Sequence, residues 1–129
     1  MSGLHPLHDA ARDGDLATVQ ALLERNHYLV LSKDIDGRTP LHHAAKNSHK
    51  LVAELLLASN ADVNAEDHYG SMPLHYAAAY ATKEVVELLV ANAAKVNARD
   101  KIGATPLRDA ADYGCKEVVE LLRQHGGRG

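Results

Sequence analysis

A chain of 129 residues is the length of one domain, and 46% hydrophobic with 24% charged residues is ordinary globular composition. Fourteen basic against 17 acidic side chains leave a net charge of −3, with no basic block to neutralise phosphates, which excludes a nucleic-acid reader. The apolar runs fall far short of a membrane span, and residues 1–5 lack the charged and apolar regions of a signal peptide. A single cysteine, Cys115, excludes an internal disulfide and suits a reducing compartment. The expectation is a cytoplasmic monomer. Phe and Trp are absent and five tyrosines are the only aromatics, which suits a core of thin Leu, Val and Ala layers rather than one compact centre.

The chain repeats itself. Pro6, Pro40, Pro73 and Pro106 are spaced by 34, 33 and 33 residues, and each opens the same phrase: PLHDAA, PLHHAA, PLHYAA, PLRDAA. Residues 35–67 and 68–100 share 17 of 33 positions without a gap, and residues 101–129 match 68–96 at 13 of 29. Agreement in phase over four copies sets the period and divides a single domain, 1–129, into repeats of about 4–34, 35–67, 68–100 and 101–129.

In chain order, Pro6 opens a helix over 6–13, and LATVQALL predicts a second over 16–25. Asn26 is expected to end that helix in a left-handed conformation. Residues 27–34 (HYLVLSKD) carry one extra residue and no clear element. Asp34-Ile35-Asp36-Gly37 has the Asp and Gly of a type I turn, followed by Thr39-Pro40, a hydroxyl cap before a proline at the first helical position. Helices over 40–47 and 50–58 follow, and Asn60 is the second left-handed terminus. The third unit repeats this with a turn at 67–70 and helices over 73–80 and 83–91. There Met72 replaces the capping Thr and Ala93 occupies the left-handed position. The fourth has a turn at 100–103, helices over 106–113 and 116–124, and Gly126 at its end. The alanine pairs 44–45, 77–78 and 110–111 keep one helix face thin so that neighbours approach closely. One such unit buries too little apolar area to stand alone, and a stack supplies the continuous core.

The phrase D-x-x-G-x-T-P-L-H-x-A-A, with V-x-x-L-L and A-D-V-N-A behind it, resembles the ankyrin repeat over roughly residues 4–126. The resemblance implies an all-α solenoid of helix–turn–helix units with projecting hairpin turns. It also implies a non-catalytic module that binds a protein partner through turn tips and a concave face of first helices. Carried to this sequence, the partner-binding positions are Arg12, Ile35, Asp36, Arg38, His43, Lys46, Asn47, His68, Tyr69, Ser71, Tyr76, Tyr80, Lys101, Ile102, Asp109, Asp112 and Tyr113. Binding specificity lives in residues that depart from the repeat, because repeated ones are committed to folding. Tyrosine, apolar in body with a polar tip, is suited to the centre of an interface. Alternatives are an engineered or reconstructed scaffold with no natural partner, or a regulatory subunit of a larger assembly.

Candidates for chemistry have weaker support. His8, His42 and His75 recur with the phrase and are expected to tie neighbouring loops. His5/His8 and His42/His43 lack the spacing and third ligand of a zinc site, so no metal and no cofactor are expected. Cys115 starts a second helix, where the dipole lowers a thiol's pKa, but no motif brings a base to it. Leu56 through Asn64 resembles the segment that asparaginyl hydroxylases modify, and Asn64 is expected instead to hydrogen-bond its own turn. No catalytic residue is identified.

Overall fold

The computed structural model describes residues 5–129. Among the described residues eight α-helices follow one another: α1 (Pro6–Asp13), α2 (Leu16–Arg25), α3 (Pro40–Lys46), α4 (Lys50–Ala58), α5 (Pro73–Ala79), α6 (Lys83–Ala91), α7 (Pro106–Asp112) and α8 (Lys116–Gln124). A short 3-10 helix, His27–Leu31, sits between α2 and α3, and no strand occurs among the described residues. Leu4, the first residue assigned to repeat 1, lies outside them.

Each unit folds as its residues dictate. Proline at N1 opens α1, α3, α5 and α7. The Thr39 and Thr105 hydroxyls accept the third helical N–H, whereas Met72 makes no side-chain cap. Left-handed Gly14, Ser48, Ala81 and Gly114 turn the chain from the first helix into the second. Asn60, Ala93 and Gly126 end the second helices in the same conformation. Asn26 does not. Its φ of −156° is extended, and its side chain accepts the Tyr28 N–H to start the 3-10 helix, so the extra residue of this linker is absorbed there.

The core is a ladder rather than a ball. Leu41, Leu74 and the alanines 44, 45, 77, 78 and 110 are buried between first helices, and Val52, Val85, Val118, Leu56, Leu89 and Leu122 between these and the second helices. First helices pack closely on first helices, while second helices touch less, so the first-helix row is the tighter inner one. Ala111 is exposed on the outer side of the last repeat.

Two of the repeated sets of polar contacts that fix the register between units join turn to turn and linker to linker. The turns are linked by His68 N–H to Asp36 O (2.9 Å) and Lys101 N–H to Tyr69 O (3.0 Å), the same pair of positions each time. On the far side Asn64 donates to Ala93 O and accepts from Lys95 N–H, and Asn97 does the same with Gly126 O and Arg128 N–H. Asn64 therefore binds the next repeat's linker and not its own turn, because the side chain reaches along the stack.

Leu89 has no exposed surface, so Leu89→Ala should cost about 2–5 kcal/mol by leaving a cavity between repeats, read as a lower urea midpoint. Gly70 (φ +72°) and Gly103 (φ +81°) occupy equivalent turns, but a Cβ on Gly70 would stand 3.0 Å from Lys101 N while one on Gly103 would meet nothing within 4 Å. Gly103→Ala should therefore cost only the left-handed strain, about 1–2 kcal/mol, and Gly70→Ala measurably more in the same titration.

Candidate binding surface

The three turns and the exposed ends of the first helices present one continuous set of side chains. Ile35, His68, Tyr69, Lys101 and Ile102 project from turns, and Asn47, Tyr80 and Tyr113 are the C-caps of α3, α5 and α7. Ile35 is 86% exposed, Ile102 89%, Tyr69 58%, Tyr80 51% and Tyr113 72%. These five carry the largest unsatisfied apolar area on that side. Lys46 Nζ lies 5.5 Å from the Tyr80 ring centre, a cation–π contact that holds the ring.

Other expected binding residues are already engaged. The Arg12 guanidinium pairs with Asp13 at 3.0 Å and Asp9 at 3.3 Å. Asn47 Nδ2 donates to His43 O. Asp112 lies 3.6 Å from Arg108 on its own helix. Asp36 is 3.8 Å from Arg38. Arg38 reaches furthest: Nε lies 3.1 Å from Tyr76 Oη and 3.4 Å from Asp67 Oδ2, and its guanidinium carbon stands over the Tyr76 and Tyr69 rings at 5.2 and 5.9 Å. The Tyr76 hydroxyl donates to the same Asp67 oxygen. Ser71 is half-buried, and its carbonyl accepts from His42 Nε2 at 2.9 Å.

The turn aspartates are residues that sequence reasoning used only for turn formation. Each one's Oδ1 accepts the two N–H groups of its own turn: Asp36 and Arg38 on Asp34, Tyr69 and Ser71 on Asp67, Ile102 and Ala104 on Asp100. The second oxygen faces the residue nine positions on. In the second repeat His43 Nε2 donates to Asp34 (2.8 Å), and in the third Tyr76 donates to Asp67. In the fourth that residue is Asp109, a carboxylate facing a carboxylate. The signal was in the sequence as the series His43, Tyr76, Asp109 against an invariant Asp.

The electrostatics follow from these partners. Burial opposes the charge on Asp34 and Asp67, but the side-chain donors His43 and Tyr76 and the turn N–H groups outweigh it and hold both pKa values below the ordinary range. Burial and the Asp67 carboxylate push Tyr76 up to about 12. Burial, then the charges of Asp100 and Asp112, push Asp109 up to about 6. Burial drives His42 down to about 4 and lowers His8 as well. Both rings hydrogen-bond a carbonyl of the next turn through Nε2, as expected of loop-tying histidines: His8 to Arg38 O at 2.8 Å and His42 to Ser71 O. His75 completes the series with Ala98 O and Ala104 O.

Cys115 lies half-buried at the start of α8 in an open groove of about 380 Å³ lined by Ala111, Gly114, Lys116, Val119, Glu120 and Arg123, with no histidine in the lining. No described helix is long and apolar enough to cross a membrane.

Residues 2–67 and 61–128 match a family model for ankyrin repeats in three copies. Among curated proteins, a probable E3 ubiquitin-protein ligase of rice, XBOS32, is 43% identical over 63 residues, 48% of this chain and 13% of that protein. The probable 26S proteasome regulatory subunit p28 of Saccharomyces cerevisiae is 36% identical over 64 residues, 50% of this chain and 28% of its own length. Human transient receptor potential cation channel subfamily A member 1 is 47% identical over 58 residues, 43% of this chain and 5% of the channel. The matched segment thus spans well under a third of each of these relatives.

Stability should depend on pH with opposing contributions. His42 has a folded pKa below its unfolded 6.5, so its neutral form's contribution is present above pH 6.5 and is lost as pH falls toward 4, about 3 kcal/mol in all. Asp109 has a folded pKa above its unfolded value, so it penalises the fold as pH rises through 6. Asp109→Asn should therefore raise stability at pH 7.5 by about 1–2 kcal/mol once solvent screening is allowed for. At pH 4 it should change little. Urea midpoints of both proteins at the two pH values check this.

Proposed function

The chain belongs to the ankyrin-repeat family, and we propose that it is a non-catalytic docking module that holds a protein partner across its turn tips and first-helix ends. One observation carries this reading. Among the described residues eight large apolar side chains are exposed, and five of them (Ile35, Tyr69, Tyr80, Ile102 and Tyr113) fall on turn tips and first-helix ends. Folding does not need them there, since the cores of the repeats close without them. A strip of this kind, apolar in the middle with Lys46 at one end and Asp109 and Asp112 at the other, fits a protein surface whose anchors fill the centre and whose charges set its direction. The remaining exposed apolar residues, Tyr28, Leu31 and Leu51, lie on the linker and second-helix side.

As a working assignment the chain is an intracellular monomer that needs no cofactor and contacts neither nucleic acid nor membrane. The relatives' short matched segments favour a second reading, in which the chain is the docking or regulatory part of a larger assembly. The two readings share one surface.

Tyr80→Ala together with Tyr113→Ala should weaken binding of a captured partner by about 2 kcal/mol or more and leave the helical circular dichroism unchanged. The control pair Arg25→Ala with Glu54→Ala, on second helices, should leave affinity in place. If calorimetry shows that the control pair abolishes binding while the tyrosine pair does not, the partner sits on the convex side and this assignment is wrong.

A further inference from the structure

Resting on the docking reading above, we propose that the position bounded by Ser71, Asp100 and Asp109 is a seat for a partner's arginine side chain. Register makes two positions of the stack equivalent. Adjacent turns are joined by the same backbone bond, His68 N–H to Asp36 O in one case and Lys101 N–H to Tyr69 O in the next. Ser71 therefore stands to Asp100 and Asp109 as Arg38 stands to Asp67 and Tyr76. At the earlier position the chain fills the seat itself. The Arg38 guanidinium lies against Asp67 and the Tyr76 hydroxyl, over two aromatic rings. One repeat later the guanidinium bearer has become a serine, and the phenol donor has become a second carboxylate.

What results is a charge pair without its cation. Asp100 and Asp109 oxygens lie within 4.8 Å of each other and of a His75 nitrogen. Among the described residues no lysine or arginine forms an ion pair with either carboxylate: Arg108 turns to Asp112 and Arg99 to Gly103 O. A divalent metal is the poorer occupant, because His75 has no lone pair to offer. Its Nδ1 accepts the Met72 N–H, and its Nε2 donates to Ala98 and Ala104 carbonyls. A planar guanidinium needs only carboxylate oxygens and presents paired donors to both. Ile102, beside the seat, occupies the register of Tyr69, which flanks Arg38. The charged and titratable groups facing Asp109 are His75 from α5, Asp100 from the turn, and Arg108 and Asp112 from its own helix.

The test uses the protein alone. In a nitrogen-15 NMR titration, N-acetyl-arginine methylamide should shift the amides of residues 102–109 in a saturable way, while its neutral citrulline analogue should not. The lysine analogue should bind at least threefold more weakly. Ser71→Arg should fill the seat from within: it should lower the Asp109 carboxyl midpoint, read by carbon-13 NMR, by about one pH unit or more and abolish the arginine shifts. Ser71→Gln, of similar length but uncharged, should leave that midpoint where it is. The proposal is overturned if arginine moves residues 102–109 no more than citrulline does, and equally if Ser71→Arg and Ser71→Gln give the same Asp109 midpoint. The arginine titration of the unsubstituted protein stands even if a variant fails to fold. Neither arm uses the partner, so failure here leaves the tyrosine test of the docking surface untouched, and failure of that test leaves this one readable.

Discussion

The stack depends on a neutral imidazole in a defined tautomer. His42 is buried with Nδ1 accepting the Thr39 N–H and Nε2 donating to Ser71 O, and His75 does the same between Met72 and Ala104. Each ring thus binds its own helix start and the next repeat's turn. Protonation puts a hydrogen on the nitrogen that must accept, and burial resists it, which is why the His42 pKa lies near 4. A leucine could fill the volume but would leave a buried N–H and a buried carbonyl unpaired, each at a cost of about 1–3 kcal/mol. In the fourth unit Arg108 occupies the phrase position.

Because that contact fixes each turn relative to the next, the surface becomes a set of equivalent slots that can be compared. Residues 43, 76 and 109 occupy one slot, opposite a turn aspartate whose other oxygen is already taken by backbone. The chain places a histidine, a phenol and a carboxylate there. The first two are donors and close the slot internally. Asp109 cannot donate when ionised, so the same backbone generates a charged opening at one end of an otherwise satisfied face. Variation at one position changes the surface chemistry without moving any helix.

The fold was legible because period, caps and apolar spacing all pointed to one answer, and helix bounds follow within a residue of the proline and capping positions. Two side chains act otherwise than their motif position implies. Asn26 and Asn64 were each read locally, as a helix terminus and a turn former. Both side chains instead answer to what lies next along the stack or the linker: the Tyr28 N–H in one case, the Ala93–Lys95 linker in the other. The exposed departures from the repeat were readable, and the five exposed apolar side chains lie on the turn tips and first-helix ends where the register puts them. The engagement of Arg38 was not, since a salt bridge across 29 residues leaves no local pattern.

That engagement sorts the charged residues of the face by what they can still give a partner. Arg38 is desolvated in part and satisfied on several sides, so drawing it toward a partner would strip Asp67, whose side chain is fully buried, of a counter-charge. Removing one member of such a pair is costly because the other stays behind unpaired. Arg38 therefore acts as a fixed part of the wall that positions Tyr69. Lys46, in contact with the Tyr80 ring, and Asp109, which forms no ion pair among the described residues, carry no such penalty. For Asp109 the sign is reversed: burial first, and then the Asp100 and Asp112 charges, oppose its ionisation, and in the proposed seat an arriving cation would offset the repulsion between the carboxylates. Under that proposal recognition and stability would be coupled through one carboxylate.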